Sequence, residues 1–344
     1  MSAPRRPASD RSPAGCLTDV AGVAVGHHHR IGRGWRTGTT VVLTPLGVVA
    51  GVDVRGGGPG TRETDLLDPR ATLSTVHAIC LSGGSAFGLA AADGVMAVLE
   101  ERGVGIAVGD PPFAVVPLVP TAVVFDLARG GDAAKRPDAT FGRRAALAAR
   151  PRPSAQGTIG AGTGTRCGGL SGGLGTASMR TIDGDTVAAL AVVNAIGSVI
   201  DPASGLPYEC GDDRLRRPQR TELEILRSAL ATTRPALNTT IGIVATDAPL
   251  TPGEVTRLAA VAHDGLARAI RPAHLSFDGD TIFSLASGTG ASVDTSRRDH
   301  LLAAAADVFA RACTNAVVRA TGDGSLRALC PSMFPDGLSG VQTA

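Results

Sequence analysis

Short apolar runs alternate with longer amphipathic stretches along this 344-residue chain. The apolar runs lie between glycine-rich or polar segments, which is the pattern of buried strands. Predicted strands cover residues 20–25, 39–43, 48–54, 78–81, 177–182, 187–194 and 241–246, with a further strand region over 270–282.

Helices are predicted where small or apolar residues recur at helical spacing. Residues 86–102 present a surface of glycine and alanine, which allows very close packing, so we expect this helix to be buried. Thr251, with Glu254 three residues later, is the capping signal of a helix that runs to Ala269. The other predicted helices cover residues 142–150, 217–233 and 298–319.

The order of these elements predicts an α/β fold with mixed sheets. Strands and helices alternate, but Asp183-Gly184-Asp185 is a hairpin signal that joins two strands directly. This argues against a purely parallel wound sheet, and layers of helix, sheet, sheet and helix fit better. No internal repeat or composition break divides the chain, so we predict a disordered N-terminus over residues 1–15 and a single domain over 16–344.

Composition narrows the possible partners and the cellular location. The net charge of +2 gives no sign of a polyanionic partner, and no aromatic RNA-binding motif or zinc-finger spacing occurs, so we expect no nucleic acid partner. The six scattered cysteines form no CxxC pair and are expected to be reduced and mostly buried. The N-terminus lacks the apolar segment of a secretion signal, and no apolar run is expected to be long enough to span a membrane. These features predict a cytoplasmic protein.

Thr239 is the most informative candidate residue. It follows Asn238 and starts the predicted strand 241–246 together with Thr240. If the Asn238–Thr239 bond broke, Thr239 would carry a nucleophilic hydroxyl and a basic α-amine on one residue. The sequence therefore raises the hypothesis of a self-processing amide hydrolase.

Three polar side chains are candidate partners for Thr239. Asp278 and Asp280 flank Gly279 in a tight turn, where they could orient the amine and hydroxyl or hold a proton. The alternative is a hairpin turn with two solvated aspartates. Asn194 ends the predicted strand 187–194 and is a candidate oxyanion-hole donor, or an amide that caps the strand end.

Glycine-rich loops and adjacent histidines suggest other chemistry, but neither fits a known site. The loops at residues 55–61, 83–85 and 160–165 lack the spacing of nucleotide-binding motifs, so we interpret them as close-packing and substrate-facing backbone. His27-His28-His29 would point to alternate faces of a strand, and the other histidines show no ligand spacing. We therefore predict neither a metal nor an organic cofactor.

Several segments, in the same order along the chain, carry a resemblance to a known family: residues 17–27, 37–41, 53–65, 81–89, 160–165, 193–197 and 238–242. They are similar to the self-processing N-terminal-nucleophile amidohydrolases, peptidase family S58, over about residues 16–335. This family holds the DmpA-type aminopeptidases, the β-peptidyl aminopeptidases and the nylon-oligomer hydrolases. The nylon-oligomer hydrolase branch resembles this chain most, because cleavage there falls at Asn-Thr and the downstream pair is Asp-x-Asp.

The resemblance implies a four-layer αββα sandwich that is cut into an α-chain, residues 1–238, and a β-chain, residues 239–344. It implies a homo-oligomer of processed protomers, often a tetramer, acting on a small peptide or amide substrate. The implied roles are nucleophile and base for Thr239, oxyanion stabilisation or positioning for Asn194, and orientation for Asp278 and Asp280. Acyl transfer of the ornithine acetyltransferase type, or an unprocessed and non-catalytic relative, are the alternatives.

One position departs from the family pattern. Where the family usually carries a lysine in a Gly-Gly-x-Lys-Gly-Gly stretch, this chain has Ser171. Arg166 is the nearest cation in the sequence, but a guanidinium cannot replace an ammonium as a tunable proton carrier. If that lysine serves processing or catalysis, the efficiency of both depends on what stands in for it here.

Overall fold

The structure is a computed structural model that describes residues 15–44, 47–111, 114–209, 215–231 and 237–335. Apart from Gly15, the predicted disordered N-terminus lies outside these ranges, and so does Cys210. The other five cysteines are free and buried, as predicted.

Two five-stranded mixed sheets form the centre of the fold. In sheet one, the strands Ala78–Ser82 and Thr121–Val123 are parallel and the other neighbours antiparallel. In sheet two, Thr239–Thr246 and Thr281–Ala286 are parallel and the other neighbours antiparallel. Sheet one is ordered β1 (Ala24–Gly32), β2 (Trp35–Leu43), β5 (Ala78–Ser82), β8 (Thr121–Val123) and β4 (Thr61–Arg62). Sheet two is ordered β11 (Gly173–Arg180), β12 (Thr186–Asn194), β13 (Thr239–Thr246), β14 (Thr281–Ala286) and β3 (Val49–Val54). Two small ribbons pair β6 (Ile106–Val108) with β7 (Ala114–Val116) and β9 (Arg166–Cys167) with β10 (Leu170–Ser171).

Helices cover the outer face of each sheet, which confirms the predicted αββα layers. Helices α1 (Ala91–Glu101) and α2 (Ala139–Ala148) pack on sheet one, and α4 (Pro252–Ala269) and α5 (Thr295–Val318) pack on sheet two. Two further helices are α3 (Arg220–Ala231) and α6 (Leu326–Leu329). Short 3-10 turns occur at Leu17–Asp19, Asp65–Leu67, Ser85–Ala90, Gly160–Gly162 and Pro331–Met333.

The alternation of side chains along β12 shows how one strand serves two layers. Because successive side chains of a strand point to opposite faces, Leu190 and Val192 enter the core between the two sheets. Ala191 and Val193 point the other way, into the core beneath α4 and α5. Both faces of sheet two are therefore buried, and polar side chains at its strand ends are held in a dry and rigid frame.

Some predicted boundaries differ from the observed ones. The strand predicted over 20–25 begins only at Ala24, because Gly22 adopts a left-handed φ of 83° that interrupts extended structure. The strand region predicted over 270–282 is mostly loop, and β14 starts at Thr281. The helix predicted over 86–102 starts as a 3-10 turn before α1, whereas the Thr251–Glu254 capping box at the start of α4 is present as predicted.

Helix α5 is the one helix among the described residues that is long and apolar enough to cross a membrane, which corrects the expectation that no such run exists. Its most apolar window is 78% buried inside the protein. The helix packs along β11, β12 and α4, so its apolar side chains belong to the core of this fold.

Glycines allow the close approach of α1 and α2 that the small-residue surface predicts. A Cβ at Gly142 would collide with the carbonyl oxygen of Ala91. Gly142→Ala should therefore lower the free energy of unfolding by about 1–3 kcal/mol through overpacking, measured by urea denaturation. Gly253→Ala, where an added Cβ meets nothing within 4 Å, is the control, and equal midpoints for the two variants would contradict the prediction.

Candidate active site

Thr239 is the first residue of β13 and is only 5% exposed. The strand is hydrogen-bonded to β12 on one side and to β14 on the other, which fixes its backbone, and Asn194 lies opposite Thr239 in the register. The hydroxyl of Thr239 donates a hydrogen bond to the carbonyl oxygen of Asn238. The predicted nucleophile thus lies against the carbonyl group of the predicted scissile bond.

The peptide group around Asn238 is held by the turn that leads into β14. The backbone N–H of Gly279 donates to the Asn238 carbonyl oxygen at 2.9 Å, and the N–H of Asn238 donates to the carbonyl oxygen of Phe277 at 3.3 Å. An N–H already aimed at this oxygen would stabilise the negative charge that develops there when the carbonyl carbon is attacked.

Asp278 is bridged to Asn238 and lies beside the predicted scissile bond. The side chain is buried, and its Oδ2 accepts the N–H of Leu275 at 2.7 Å, while Oδ1 has no hydrogen-bond partner among the described residues. Burial, reinforced by the neighbouring Asp280 carboxylate, raises the pKa of Asp278 to about 6. Asp278 is therefore a carboxyl group that can exchange a proton near neutral pH, and not a solvated turn residue.

Asp280 fixes the residue that follows the nucleophile. Its Oδ1 accepts the N–H of Thr240 at 2.6 Å, and its Oδ2 lies 2.7 Å from Nδ1 of His274. The His274 ring in turn packs edge-on against His263, with the ring centroids 5.0 Å apart. His274 has no sequence signature as a site residue, because only the folded turn brings it back to a carboxylate six residues away.

The first glycine-rich loop packs against this turn. The N–H groups of Arg55 and Gly56 donate to the carbonyl oxygen of Asp280 at 3.0 and 3.1 Å, and that of Gly58 donates to the carbonyl oxygen of Asp278 at 2.9 Å. A Cβ at Gly56 would collide with the backbone of the turn. The loop therefore acts as the closely packed backbone support that the sequence predicts.

Asn194 lies in a polar network beside Thr239. Its Oδ1 accepts the N–H of Arg166 at 3.0 Å and a guanidinium N–H of Arg129, and its Nδ2 donates to the carbonyl oxygen of Phe125 at 3.0 Å. The described donors to the Asn238 carbonyl oxygen are the Gly279 N–H and the Thr239 hydroxyl, whereas the Asn194 amide donates to Phe125. An oxyanion role for Asn194 stays a prediction.

Arg129 is a site residue that the sequence analysis missed. Its Nη2 donates to the carbonyl oxygen of Leu237 at 2.9 Å and to Oδ1 of Asn238 at 2.8 Å. Burial and the nearby Arg166 lower the pKa of Arg129 to about 10, so the guanidinium remains charged at neutral pH. No local pattern marks this residue, because it lies outside every predicted strand, helix and motif, between β8 and α2.

The two remaining candidate residues are Ser171 and Arg166, and the described contacts of their side chains do not include Thr239. Ser171 donates its backbone N–H to Gly324 at 2.8 Å, and its hydroxyl lies 3.4 Å from the carbonyl oxygen of Asp323. The Ser171 side chain therefore faces the loop after α5, and its described contacts do not include Thr239. Arg166 reaches Asn194 through its backbone N–H, while its side chain is exposed.

A cavity of about 600 Å³ is lined by residues that flank the candidate site along the chain, and not by Thr239, Asn194 or Asp278 themselves. Its walls include Ile196–Ser198, just after Asn194, and Leu275–Phe277, just before Asp278. The lining is mostly apolar, with the guanidinium of Arg271 stacked 4.3 Å over the ring of Tyr208. Its volume lies in the range of about 300–1,000 Å³ that is usual for small-molecule sites.

The three adjacent histidines of β1 have separate environments. Nδ1 of His27 lies 3.0 Å from the Thr40 hydroxyl, whereas the His28 ring packs edge-on against Phe141. In the part of the chain that the structure describes, no group of three or more His, Cys, Asp or Glu side chains could hold a metal ion.

Comparison with known proteins identifies relatives over nearly the whole chain. The family model described as Peptidase family S58 matches residues 15–326. An uncharacterised aminopeptidase of Mycobacterium leprae is 47% identical, over 94% of this chain and 95% of its own length. A 6-aminohexanoate-oligomer endohydrolase of Kocuria is 33% identical, over 78% of this chain and 73% of its own length. Among solved structures, a beta-aminopeptidase of Burkholderia has a TM-score of 0.68 and 26% identity, with 94% of this chain and 95% of that chain covered.

Proposed function

The chain belongs to peptidase family S58 and is a hydrolase of amide bonds, and from this we propose that it cuts its own Asn238–Thr239 bond and then uses Thr239 as an N-terminal nucleophile. The observation that carries the proposal is the arrangement at the scissile carbonyl. The Thr239 hydroxyl donates to the Asn238 carbonyl oxygen, and the same oxygen accepts the Gly279 N–H at 2.9 Å. Nucleophile, carbonyl and oxyanion donor are together before any substrate arrives.

The maturation step proceeds as an N-to-O acyl shift. Thr239 Oγ attacks the Asn238 carbonyl carbon while its proton passes to the Asp278 carboxylate, and the Gly279 N–H holds the charge on the oxygen. The C–N bond then breaks, and Asp278 returns the proton to the Thr239 nitrogen. Water hydrolyses the resulting ester, which leaves a carboxylate on Asn238 and a free α-amine on Thr239.

Turnover repeats this chemistry on an external amide. The α-amine of Thr239, with an unperturbed pKa of about 7.7–8.0, takes the hydroxyl proton as Oγ attacks the substrate carbonyl carbon. The amine passes that proton to the leaving nitrogen, and water then hydrolyses the acyl ester on Thr239. Asp280 holds the N–H of Thr240 at 2.6 Å, and this contact keeps the nucleophile in position.

The substrate class follows from the family and the cavity. The relatives are named as an aminopeptidase and a 6-aminohexanoate-oligomer endohydrolase, so a small peptide or a linear amide fits best. The cavity that Leu275–Phe277 help to line is large enough and apolar enough to hold such a chain. These names disfavour the acyltransferase and the non-catalytic alternatives. A tetramer of processed protomers is part of the proposal.

Intact-mass time courses on purified protein test this function. The single chain should convert into residues 1–238 and 239–344, and conversion should accelerate as the pH rises through about 6. The sign follows from the pKa of Asp278 at about 6: below that pH its carboxyl is protonated and cannot accept the hydroxyl proton, and above it the carboxylate is free to do so.

Two variants separate the roles in this experiment. Asp278→Asn should slow conversion and abolish the inflection near pH 6, whereas Asp264→Asn, at a largely exposed carboxyl group, should keep both rate and inflection. A chain that stays whole at every pH would contradict self-cleavage. Cleavage at the same rate at every pH would contradict the role of Asp278 as the proton acceptor, but would leave self-cleavage itself in place.

A further inference from the structure

The guanidinium of Arg129 lies on the acyl side of the scissile bond. It contacts two oxygens there: Oδ1 of the Asn238 side chain at 2.8 Å, and the carbonyl oxygen of Leu237, the amide that precedes Asn238, at 2.9 Å. Its other nitrogen donates to Oδ1 of Asn194, which holds the side chain in this orientation. The planar guanidinium thus contacts both the Asn238 side chain and the amide that precedes Asn238.

The positive charge at this place is not matched by a carboxylate in contact. Among the residues the structure describes, Arg129 forms no ion pair. The nearby Asp126 carboxylate favours the charged form of Arg129, but its two oxygens accept hydrogen bonds from the Gly84 N–H at 2.7 Å and the Thr37 hydroxyl at 2.6 Å. Arg166 adds a second positive charge nearby. A half-buried guanidinium in this position is best satisfied by oxygen acceptors of whatever lies against it.

The contacts of Asn238 define where a substrate must sit. In maturation Asn238 is the acyl residue, and in turnover the substrate's acyl residue must present its carbonyl to the same Thr239 hydroxyl and the same Gly279 N–H. The groups around Asn238 therefore become the groups around the acyl residue of the substrate. Phe277 offers a carbonyl that an amide N–H or an ammonium could use equally, so it does not discriminate between them.

We propose that Arg129 is a specificity-determining residue, which selects substrates whose acyl residue carries an oxygen acceptor at this place. Such substrates have an acylated amino group, as in an internal amide bond, whose carbonyl oxygen takes the place of the Leu237 carbonyl oxygen. A free α-ammonium would bring a third positive charge beside Arg129 and Arg166 and would supply no acceptor. This inference rests on the proposed function, because it equates the position of Asn238 with that of the substrate.

A pair of matched substrates tests the inference on the wild-type protein. N-acetyl-asparagine p-nitroanilide should be hydrolysed with a kcat/KM about tenfold or more above that of asparagine p-nitroanilide, because only the former supplies the acceptor that stands in for the Leu237 carbonyl. Arg129→Met, which keeps length but removes charge and donors, should reduce this ratio to about one by lowering kcat/KM for the acetylated substrate. Arg180→Met, at a side chain bonded to Gly184 in the β11–β12 turn, is the control and should keep the ratio.

The outcomes distinguish this inference from the function on which it rests. If the wild-type protein is cut into two chains but hydrolyses the free-amine substrate faster, the inference is overturned and the proposed function stands. The same conclusion follows if Arg129→Met lowers kcat/KM equally for both substrates. If Arg129→Met does not mature, the wild-type ratio decides by itself. A single uncut chain that hydrolyses neither substrate would overturn the proposed function, and this inference with it.

Discussion

Thr239→Ala should remain a single uncut chain with no amide hydrolysis above background. The substitution removes the hydroxyl that lies against the Asn238 carbonyl oxygen, and because the bond is not cut, the α-amine that serves as the base is never released. Removal of this one oxygen atom therefore eliminates both the nucleophile and the base. Removal of a hydrolase nucleophile costs on the order of 10⁶ in kcat, and intact mass together with p-nitroanilide hydrolysis measures both losses.

Two neighbouring changes make this result specific. Thr239→Ser keeps a hydroxyl at the same place and should still be cut. Thr240→Val removes the adjacent hydroxyl, which is buried and has no hydrogen-bond partner among the described residues, and should also be cut and active. If Thr239→Ala were still cut before residue 239, Thr239 could not be the nucleophile. If Thr240→Val had normal stability but remained uncut, the assignment of this role to Thr239 alone would also be contradicted.

Gly279→Ala should slow cleavage and turnover by about 10²–10³, the usual cost of losing an oxyanion-hole donor. A Cβ at this position would lie 2.6 Å from the Gly58 carbonyl oxygen and 2.8 Å from the Thr239 hydroxyl oxygen. Since the first glycine-rich loop blocks movement on one side, the turn must shift. That shift moves the Gly279 N–H away from the Asn238 carbonyl oxygen.

The rate of conversion by intact mass and the kcat of matured protein measure this effect. Gly253→Ala is the control, because its added Cβ meets open space at the start of α4. Thermal unfolding should show that Gly279→Ala remains folded. Normal cleavage in a folded Gly279→Ala protein would contradict the prediction that the added Cβ moves this N–H away from the Asn238 carbonyl oxygen.

The layered fold was predictable because its signal is local. The hairpin of β11 and β12 and the capping box of α4 each lie within a few residues of sequence, and both occur as predicted. The strand predicted over 270–282 was wrong over most of its length. There the backbone of residues 275–280 bonds to the glycine loop and to Asn238, and these tertiary contacts outweigh the strand-like composition.

The candidate site was predictable from the sequence only where its chemistry depends on a particular type of side chain, such as a hydroxyl or a carboxyl group. The candidate nucleophile Thr239 and the carboxyl groups Asp278 and Asp280 all lie at or beside the Asn238–Thr239 peptide. The Gly279 N–H and the Arg129 guanidinium could not be found in this way. A backbone N–H has no sequence signature, and Arg129 lies 109 positions from Asn238 and meets it only across the two sheets.

The position of β13 and β14 in the middle of sheet two determines the order in which folding and the proposed cleavage can occur. These strands come from residues 239–344, but their neighbours β12 and β3 come from residues 1–238. Neither portion has a complete sheet by itself, and the groups around Asn238 meet only when both are assembled. If the chain cuts itself as proposed, cleavage must follow folding, and the extent of cutting would be a permanent chemical record of how many chains have reached the native state.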